Sequence, residues 1–438
     1  MDILYQLASF ADDAFSVVAS RMVDQGVVVA GGAGGDSDSD GPSTTGPYLS
    51  PVGAAGNKVL GVSALYNVQQ ALDAFEFTIE LDGYTGSAVV AFSYEWYPLT
   101  YESDGLPIVP VTLDTNVAAD ACEPLEQDFT GVIALVRMGG CDTYTKQTNL
   151  VAANATAIIF YWDPSSYGQT APVTRFGCFA ITISDVAGEG MVNAILAGGN
   201  VSGNYSSVYT RAWSNPAGNI AVLYDGWGPL SDLTIKPDIA APGDRLETTI
   251  LNQAEWGLAT GTSLSAAYVA GIAALYIGQH GGRKTNPSFN ASNLAMRIMS
   301  SGSALPFLNF TSGNTTSFNA PVFQVGTGLV NATRVLEYST QLSYAKFHLN
   351  DTHNFERYQK VDITNNAAVD VTYTFAWLPA AGFETWLPSE GRVVVADEAI
   401  PIDINPVVSL PSGTFKVAAG KTKTAQYVSL VTHLLLLY

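Results

Sequence analysis

The chain has 438 residues, 47% hydrophobic and 13% charged, so it is too apolar for a disordered chain and long enough for about three domains. Its 19 basic and 39 acidic residues give a net charge of −20, which excludes a basic surface for nucleic-acid phosphates or anionic lipid. No apolar run approaches the ~20 residues of a membrane-spanning helix, and the longest is Ala266–Gly278.

The chain begins with an α/β pattern. The apolar spacing from Asp2 to Asp24 predicts a helix, and Gly26 ends it. Val27–Ala30 and Val59–Ala64 are short apolar strands of the kind buried on both faces of a parallel sheet. A glycine-rich turn, residues 31–35, follows the first of these strands. This order of elements predicts a doubly wound α/β unit.

The pattern changes between about Ile79 and Ser207. Strands such as Gly131–Val136 and Ala157–Tyr161 alternate there with short helices such as Thr145–Ala153. This alternation predicts a separate small module that is inserted into the α/β unit.

The first pattern then returns, with one long helix from about Ser263 to Gly278. From about Leu342 the chain reads as short strands separated by Pro and Gly, which predicts a β-sandwich. The predicted domains are residues 1–78 and 208–341 for the α/β core, 79–207 for the insert and 342–438 for a partial sandwich.

One segment carries candidate chemistry. The run Gly261–Gly271 delivers Ser263 to the first turn of the long apolar helix. Unpaired N–H groups and the positive end of the helix dipole lie there, and they stabilise an oxyanion when a hydroxyl attacks a carbonyl. The alternative from local spacing is that Thr262 or Ser263 only caps the helix. The segment is not the Gly-x-Ser-x-Gly elbow of α/β-hydrolases, because Ser265 stands at the second Gly position.

Gly261–Gly271 resembles the nucleophile motif of the subtilisin-like serine proteases. Lys236–Gly243 is similar to the stretch that precedes that motif, and Gly228-Pro229 stands where members of the family carry a Gly-Pro turn. Val325–Ala332 resembles the segment that closes their catalytic domain. The resemblance implies a three-layer α/β/α core and peptide-bond hydrolysis through an acyl-enzyme at Ser263.

The resemblance extends over nearly the whole chain. Ala119–Leu125 and Val136–Cys141 resemble parts of a protease-associated domain, which implies an insert of that kind. The C-terminal strands, with Leu349–Thr352 near their start, resemble the fibronectin type III-like domain of large fungal subtilases. Protein or peptide substrates and an extracellular or cell-wall location are implied in the same way.

Departures from the family pattern bear on activity. The Asp and His motifs of the catalytic triad do not occur in this sequence, so the resembled core is incomplete at its N-terminus. Gly35 stands at the position of the oxyanion Asn, and Ala267 replaces the usual Pro of the nucleophile helix. No histidine is followed by Gly-Thr, as the family base is, and all of them come after Ser263 in the chain: His280, His348, His353 and His433. We therefore expect a catalytically incompetent chain, with a non-catalytic binding module acting through the protease-associated domain as the alternative.

No cofactor or metal site is predicted. Asp36–Gly41 matches the opening of a calcium loop, but Pro47 stands where the twelfth-position Glu is needed. A solvated acidic loop is the better interpretation of this segment.

The cysteines and sequons concern the cellular compartment. Cys122, Cys141 and Cys178 fit no CxxC motif, and the odd count leaves one thiol over. The resemblance to a protease-associated domain implies a Cys122–Cys141 disulfide with Cys178 free.

The start Met1–Tyr5 lacks a signal-peptide pattern. Eight Asn-x-Ser/Thr sequons nevertheless favour a secreted ancestry, at Asn154, Asn200, Asn204, Asn290, Asn309, Asn314, Asn331 and Asn350.

Overall fold

The computed structural model describes residues 11–34, 54–92, 105–117, 119–162, 178–215, 218–222, 225–249, 257–309, 314–350, 353–383, 386–387, 389–393, 401–402 and 406–430. The chain divides into two compact units. Unit 1 comprises Met1–Val68 and Asn215–Tyr438, and unit 2 comprises Gln69–Ser214. Within the described ranges, no helix combines the length and the apolar character that crossing a membrane requires.

The described helices are α1 (Ala14–Asp24), α2 (Thr143–Ala152), α3 (Asp185–Leu196), α4 (Thr262–His280), α5 (Ala291–Ser300), α6 (Val322–Val325) and α7 (Ala332–Glu337). The first two strands, in unit 1, are β1 (Ala30–Gly32) and β2 (Leu60–Leu65). The strands of unit 2 are β3 (Gln69–Leu81), β4 (Tyr84–Phe92), β5 (Leu106–Pro110), β6 (Ile133–Arg137), β7 (Ala157–Tyr161), β8 (Phe179–Ile183) and β9 (Asn200–Ser214). The later strands of unit 1 are β10 (Ile239–Pro242), β11 (Leu246–Thr248), β12 (Gly257–Ala259), β13 (Pro306–Asn309), β14 (Asn314–Asn319), β15 (Thr340–Leu342), β16 (Tyr358–Asn365), β17 (Val371–Tyr373), β18 (Gly382–Phe383), β19 (Trp386–Leu387), β20 (Arg392–Val393), β21 (Pro401–Ile402), β22 (Val407–Ser409), β23 (Phe415–Val417) and β24 (Thr422–Leu430).

A parallel sheet in the order β1-β2-β10 lies at the centre of unit 1. All six residues of β2 are buried, which fits a strand covered on both faces. Helix α4 packs on this sheet through Ala266, Val269, Ile272 and Ala273, and α5 joins the same core through Leu294. The sheet and α4 therefore form one apolar core that fixes the position of the helix start.

Two predicted elements differ from the structure at their ends. The helix predicted from Asp2 begins at Ala14, because Asp13 is extended and its carboxylate accepts the N–H groups of Phe15 and Ser16 as an N-cap. Residues 2–10 of that prediction lie outside the described residues. The predicted strand Val27–Ala30 is also misplaced, since pairing in β1 runs from Ala30 to Gly32.

The C-terminal part of unit 1 is made of antiparallel strands. β15, β16, β24 and β22 form a four-stranded sheet, and β17 pairs with β23. Val361 and Ile363 of β16 pack against Phe415 and Val417 of β23 in a small apolar core. This region is a set of short strands as expected, and its assignment as a fibronectin type III-like sandwich stays a prediction.

Unit 2 contains a seven-stranded mixed sheet in the order β4-β3-β9-β5-β6-β7-β8. Strands β5 to β8 are parallel neighbours, with α2 and α3 following β6 and β8 along the chain. One apolar cluster includes Met191 and Val192 of α3, and another includes Leu150 of α2. The predicted limits of the insert, 79–207, fall inside this unit.

The predicted disulfide is confirmed. Cys122 and Cys141 are bonded, with their Cα atoms 5.8 Å apart. Cys178 is the free cysteine and is buried.

Candidate active site

Ser263 lies at the carboxyl edge of the parallel sheet of unit 1. It is the second residue of α4, and its side chain is exposed. Gly261 precedes the helix and makes no side-chain cap hydrogen bond. The first turn of α4 therefore presents backbone N–H groups and the positive end of its dipole beside an accessible hydroxyl.

Two contacts hold the start of α4 against the end of β10. The Gly261 N–H donates to the Gly243 carbonyl at 2.8 Å. The buried Ser265 hydroxyl lies 3.1 Å from the carbonyl oxygens of Ala241 and Pro242. A Cβ on Gly243 would lie 2.1 Å from Ser265 Oγ, so only glycine permits this approach. These contacts fix the position of Ser263 relative to the sheet.

The segment after β1 borders the same helix turn. A Cβ on Gly32 would lie 2.6 Å from Thr262 Oγ1 and 3.0 Å from the Ser263 nitrogen. The Gly34 N–H donates to Thr262 Oγ1 at 3.2 Å. The residue expected at the oxyanion position, Gly35, is next in the chain and lies outside the described residues, as do Asp36–Gly41 and Pro47 of the acidic loop.

The structure places two of the histidines away from Ser263. His280 stands 17 residues further along α4, or ~25 Å at 1.5 Å per residue, and its Nε2 is 3.3 Å from the Leu336 carbonyl. His348 lies near the charges of Lys346 and Asp238. Asp238 directly precedes β10, so His348 is at the amino edge of the sheet, opposite to Ser263. His433 lies outside the described residues.

A buried acid beneath the carboxyl edge is a feature that sequence reasoning missed. Asp225 is fully buried, and its Oδ2 accepts hydrogen bonds from the Ser63 hydroxyl and, at 2.9 Å, from the Ala64 N–H. Burial raises the pKa of Asp225 well above its usual range, against these hydrogen bonds. The next N–H, of Gly226, donates to the Gly34 carbonyl at 2.6 Å. Asp225 thus anchors a loop that holds the segment bordering Ser263.

The described residues contain no group of three His, Cys, Asp or Glu side chains that could hold a metal ion. Ser263 and the first turn of α4 supply a hydroxyl and backbone N–H donors. Within the described part of the chain, no proton-accepting side chain is hydrogen-bonded to Ser263.

Residues 105–189 match the family model of the PA domain. The chain is also distantly homologous to known proteases. It is 26% identical over 281 residues to the PI-type proteinase of Lactococcus lactis subsp. cremoris, covering 59% of this chain and 14% of that protein. It is 26% identical to the minor extracellular protease Vpr of Bacillus subtilis, over 41% of this chain and 22% of that protein. It is 29% identical to the C5a peptidase of Streptococcus pyogenes, over 34% of this chain and 12% of that protein.

The chain thus corresponds to less than a quarter of the length of each of these three relatives. Among solved structures, an aminopeptidase from Aneurinibacillus sp. strain AM-1 matches 34% of this chain and 36% of its own, at 17% identity and a TM-score of 0.20. That similarity is too low to assign a fold.

Proposed function

We propose that this chain is the nucleophile-bearing part of a subtilisin-like serine endopeptidase. One observation carries the proposal: Ser263 is exposed at the start of an apolar helix, at the carboxyl edge of a parallel sheet. Reactive groups of open α/β sheets lie at that edge. The protease homology supports the same function class.

The proposed chemistry is acyl transfer. The Ser263 hydroxyl attacks the carbonyl carbon of a peptide bond, and N–H groups of the first turn of α4 stabilise the oxyanion. The hydroxyl needs a base within hydrogen-bond reach, and His280 and His348 are remote from Ser263. Neither of them can therefore serve as the base of Ser263 in this arrangement.

The chain by itself is accordingly proposed to be catalytically incompetent. In subtilisin, removing the serine or the histidine alone costs ~10⁶ in turnover, and removing one oxyanion donor costs ~10²–10³. Gly35 has no side-chain donor to offer at that position. These losses do not add, because residues that act as a unit fail as a unit, and loss of the base alone takes turnover below routine detection.

The test compares the purified chain with its Ser263→Ala variant in a casein assay and in labelling by a fluorophosphonate. We expect equal, background-level hydrolysis and no stoichiometric label on either protein. Turnover above that of Ser263→Ala, or one label per chain on Ser263, contradicts the inactive state and supports a complete site.

The finer features of the family are part of the same proposal. The C-terminal strands are proposed to form a fibronectin type III-like sandwich of the fungal type, and the chain to act outside the cell or at the cell wall on protein or peptide. The name of the Bacillus relative, an extracellular protease, supports the location. The second candidate function, a binding module without catalysis, is favoured by the PA-domain match at residues 105–189.

A further inference from the structure

One of the eight sequons, Asn154 to Thr156, lies on an exposed turn of unit 2. Asn154 directly follows Ala153, the C-cap of α2, and β7 begins just after Thr156. The side chains of Asn154 and Thr156 are both exposed. The two residues that define this sequon therefore face solvent, where an oligosaccharide attached to the asparagine has room.

Hydrogen bonds fix the main chain of this turn. The Asn154 N–H donates to the Val151 carbonyl at 3.0 Å. The Ala155 N–H donates to the Leu150 carbonyl, also at 3.0 Å, and the two bonds together are the Schellman pattern of a helix end. Asn154 has a φ of 65°, in the left-handed region that Asn occupies more readily than most residues. Helix termination thus accounts for an asparagine at this position, but it places no demand on the hydroxyl of Thr156.

The Asn154 carboxamide is oriented by a neighbouring carboxylate. Asn154 Nδ2 donates to Asp128 Oδ1 at 3.1 Å. The same oxygen accepts the Thr130 N–H at 3.1 Å and the Thr130 hydroxyl at 2.8 Å. Hydrogen bonds from Thr130 and Asn154 hold the pKa of Asp128 below its usual range, so Asp128 is an ionised acceptor at neutral pH. An Asn Nδ2 carries two hydrogens, and the bond to Asp128 uses one of them, which leaves the other for substitution.

Asn331, in unit 1, begins another sequon and has different surroundings. It is half-buried, and its Oδ1 accepts the Arg334 N–H at 3.0 Å as the N-cap of α7. Its own N–H donates to Ser301 Oγ at 3.2 Å. The Arg334 guanidinium in turn donates to the Ser301 carbonyl and to Ser303 Oγ, each at 3.1 Å. An oligosaccharide on Asn331 has to fit beside these contacts, whereas one on Asn154 extends into solvent.

We propose that Asn154 is an N-glycosylation site whose Nδ2 carries an oligosaccharide in the folded protein. The inference rests on the extracellular location proposed above, because the sugar donor, a lipid-linked oligosaccharide pyrophosphate, belongs to the secretory route. In the transfer, Nδ2 bonds to C1 of the first sugar and loses one proton. The bond from C1 to the pyrophosphate oxygen breaks, and the lipid pyrophosphate leaves. The remaining N–H keeps its hydrogen bond to Asp128, so the turn after α2 accepts the modification without rearranging.

The experiment expresses the full chain in a eukaryotic host that adds high-mannose oligosaccharides, behind a leader that the host removes. Peptide N-glycosidase F in heavy-oxygen water converts each glycosylated Asn into a labelled Asp, and mass spectrometry reads the occupancy of each sequon. We expect label on Asn154 in most molecules and little on Asn331. Unlabelled Asn154 overturns the proposal, whether the chain is recovered from the medium or from inside the host. Occupancy of Asn331 equal to that of Asn154 overturns it too, because the folded geometry then does not select the site.

The leader supplies export, so a negative result is distinct from a failure of the proposed function, which the casein assay tests. Thr156→Val removes the sequon and leaves Asn154 and Asp128 in place, so we expect it to lower the label on Asn154 to background. Thr148→Val is the matched control at an exposed threonine of α2 outside any sequon, and it should leave that label unchanged. Label that persists on Asn154 in Thr156→Val reports spontaneous deamidation and overturns the proposal.

The retained hydrogen bond to Asp128 has its own readout. Endoglycosidase H leaves one sugar on the Asn154 amide, whereas peptide N-glycosidase F leaves a carboxylate beside Asp128. At pH 7.5 we expect the second product to unfold about 1–2 °C lower, because a hydrogen bond between exposed groups is replaced by like-charge repulsion. Asp128→Asn should remove this difference. Equal midpoints of the two products in the unchanged chain overturn the proposed contact between Asp128 and the modified Asn154.

Discussion

Lys236 Nζ lies 2.5 Å from Asp238 Oδ2, and the two side chains are 1% and 3% exposed. The Gly61 N–H also donates to Asp238 Oδ2, at 2.8 Å, and Lys346 pairs with the other carboxylate oxygen. Burial opposes ionisation of Asp238, but the charges of Lys236 and Lys346 outweigh it and hold the pKa of Asp238 below its usual range. One carboxylate therefore joins β2, the start of β10 and the chain after β15.

Replacing that carboxylate should destabilise unit 1 strongly. Asp238→Asn leaves Lys236 buried without a counter-charge, and breaking a buried pair in this way costs about 3–5 kcal/mol. Urea unfolding at pH 7.5 measures the loss. Asp370→Asn removes an exposed pair with Lys416 and should leave the midpoint unchanged. An unchanged midpoint for Asp238→Asn would mean that Lys236 is neutral or solvated.

Two serines two residues apart on α4 should differ in their effect on stability. Ser265→Ala removes the buried hydroxyl that bonds to the carboxyl end of β10, so we expect a loss of about 1 kcal/mol in the free energy of unfolding. Ser263→Ala alters an exposed side chain and should stay within about 0.5 kcal/mol. Thermal unfolding of both variants decides this. Equal losses would show that Ser263 has a structural role in capping α4.

The stability contribution of Asp120 should depend on pH, because burial raises its pKa in the folded chain. An acid whose pKa is higher in the folded chain than its ordinary 3.8 binds more protons when folded, so its contribution falls as pH rises from 3.8 to about 6. Asp120→Asn removes this pH-dependent contribution. The thermal midpoint of the variant minus that of the unchanged chain should therefore rise across that pH window and then level off. A difference that is constant from pH 4 to pH 8 would contradict the raised pKa.

Cys178 should be unreactive until the chain unfolds. Burial raises the pKa of its thiol to about 12, so almost no thiolate forms near neutral pH. Titration with Ellman's reagent at pH 8 should detect no thiol in the native chain and one in guanidinium. Rapid reaction of a native thiol would show that Cys178 is accessible or that the Cys122–Cys141 bond is open.

The chain alone should associate in solution. β1 is an outer strand of its described sheet, and helices of unit 1 carry exposed apolar side chains, including Leu275 of α4 at 60% and Val18 of α1 at 55%. A groove of about 480 Å³ runs between Val27–Val28 and the last turns of α4. Light scattering after size exclusion should show species larger than a monomer.

Substituting Leu275→Gln together with Val18→Gln should shift that population towards the monomer. Leu196→Gln, at an equally exposed leucine of unit 2, should not. A monodisperse monomer of the unchanged chain would show that these exposed groups do not drive association.

The sequence was most informative where periodicity is regular. The long apolar run from Ser263 predicted α4 to within two residues, and Ala157–Tyr161 was predicted with its observed ends. Boundaries set by single contacts were missed. The start of α1 depends on the Asp13 carboxylate. β1 extends through Gly31 and Gly32 because they pair with Gly61 and Val62 of β2, and no apolar pattern marks glycines as strand residues. The predicted domain limits remain predictions.

The candidate site was predictable only in part. The Gly-Thr-Ser run indicated Ser263, because a local motif places it at a helix start. Asp225 was not predictable, since its partners Ser63 and Ala64 lie about 160 residues away in sequence. Lys236 and Asp238 lie in a recognisable motif, but their contacts with Val59, Gly61 and Lys346 join segments that are more than 100 residues apart. The role of Ser263 as nucleophile stays a prediction.

The two strands that lead into and out of unit 2 have a consequence for the order of folding. Gln69 and Ser214 are register partners on β3 and β9, so the folded unit delivers its two chain ends side by side. Unit 1 must otherwise close a loop of about 150 residues, at an entropic cost of about 4 kcal/mol. Prior folding of unit 2 shortens the segment between β2 and β10 to about 27 residues, 66–68 and 215–238, and so lowers that cost by about 1.6 kcal/mol.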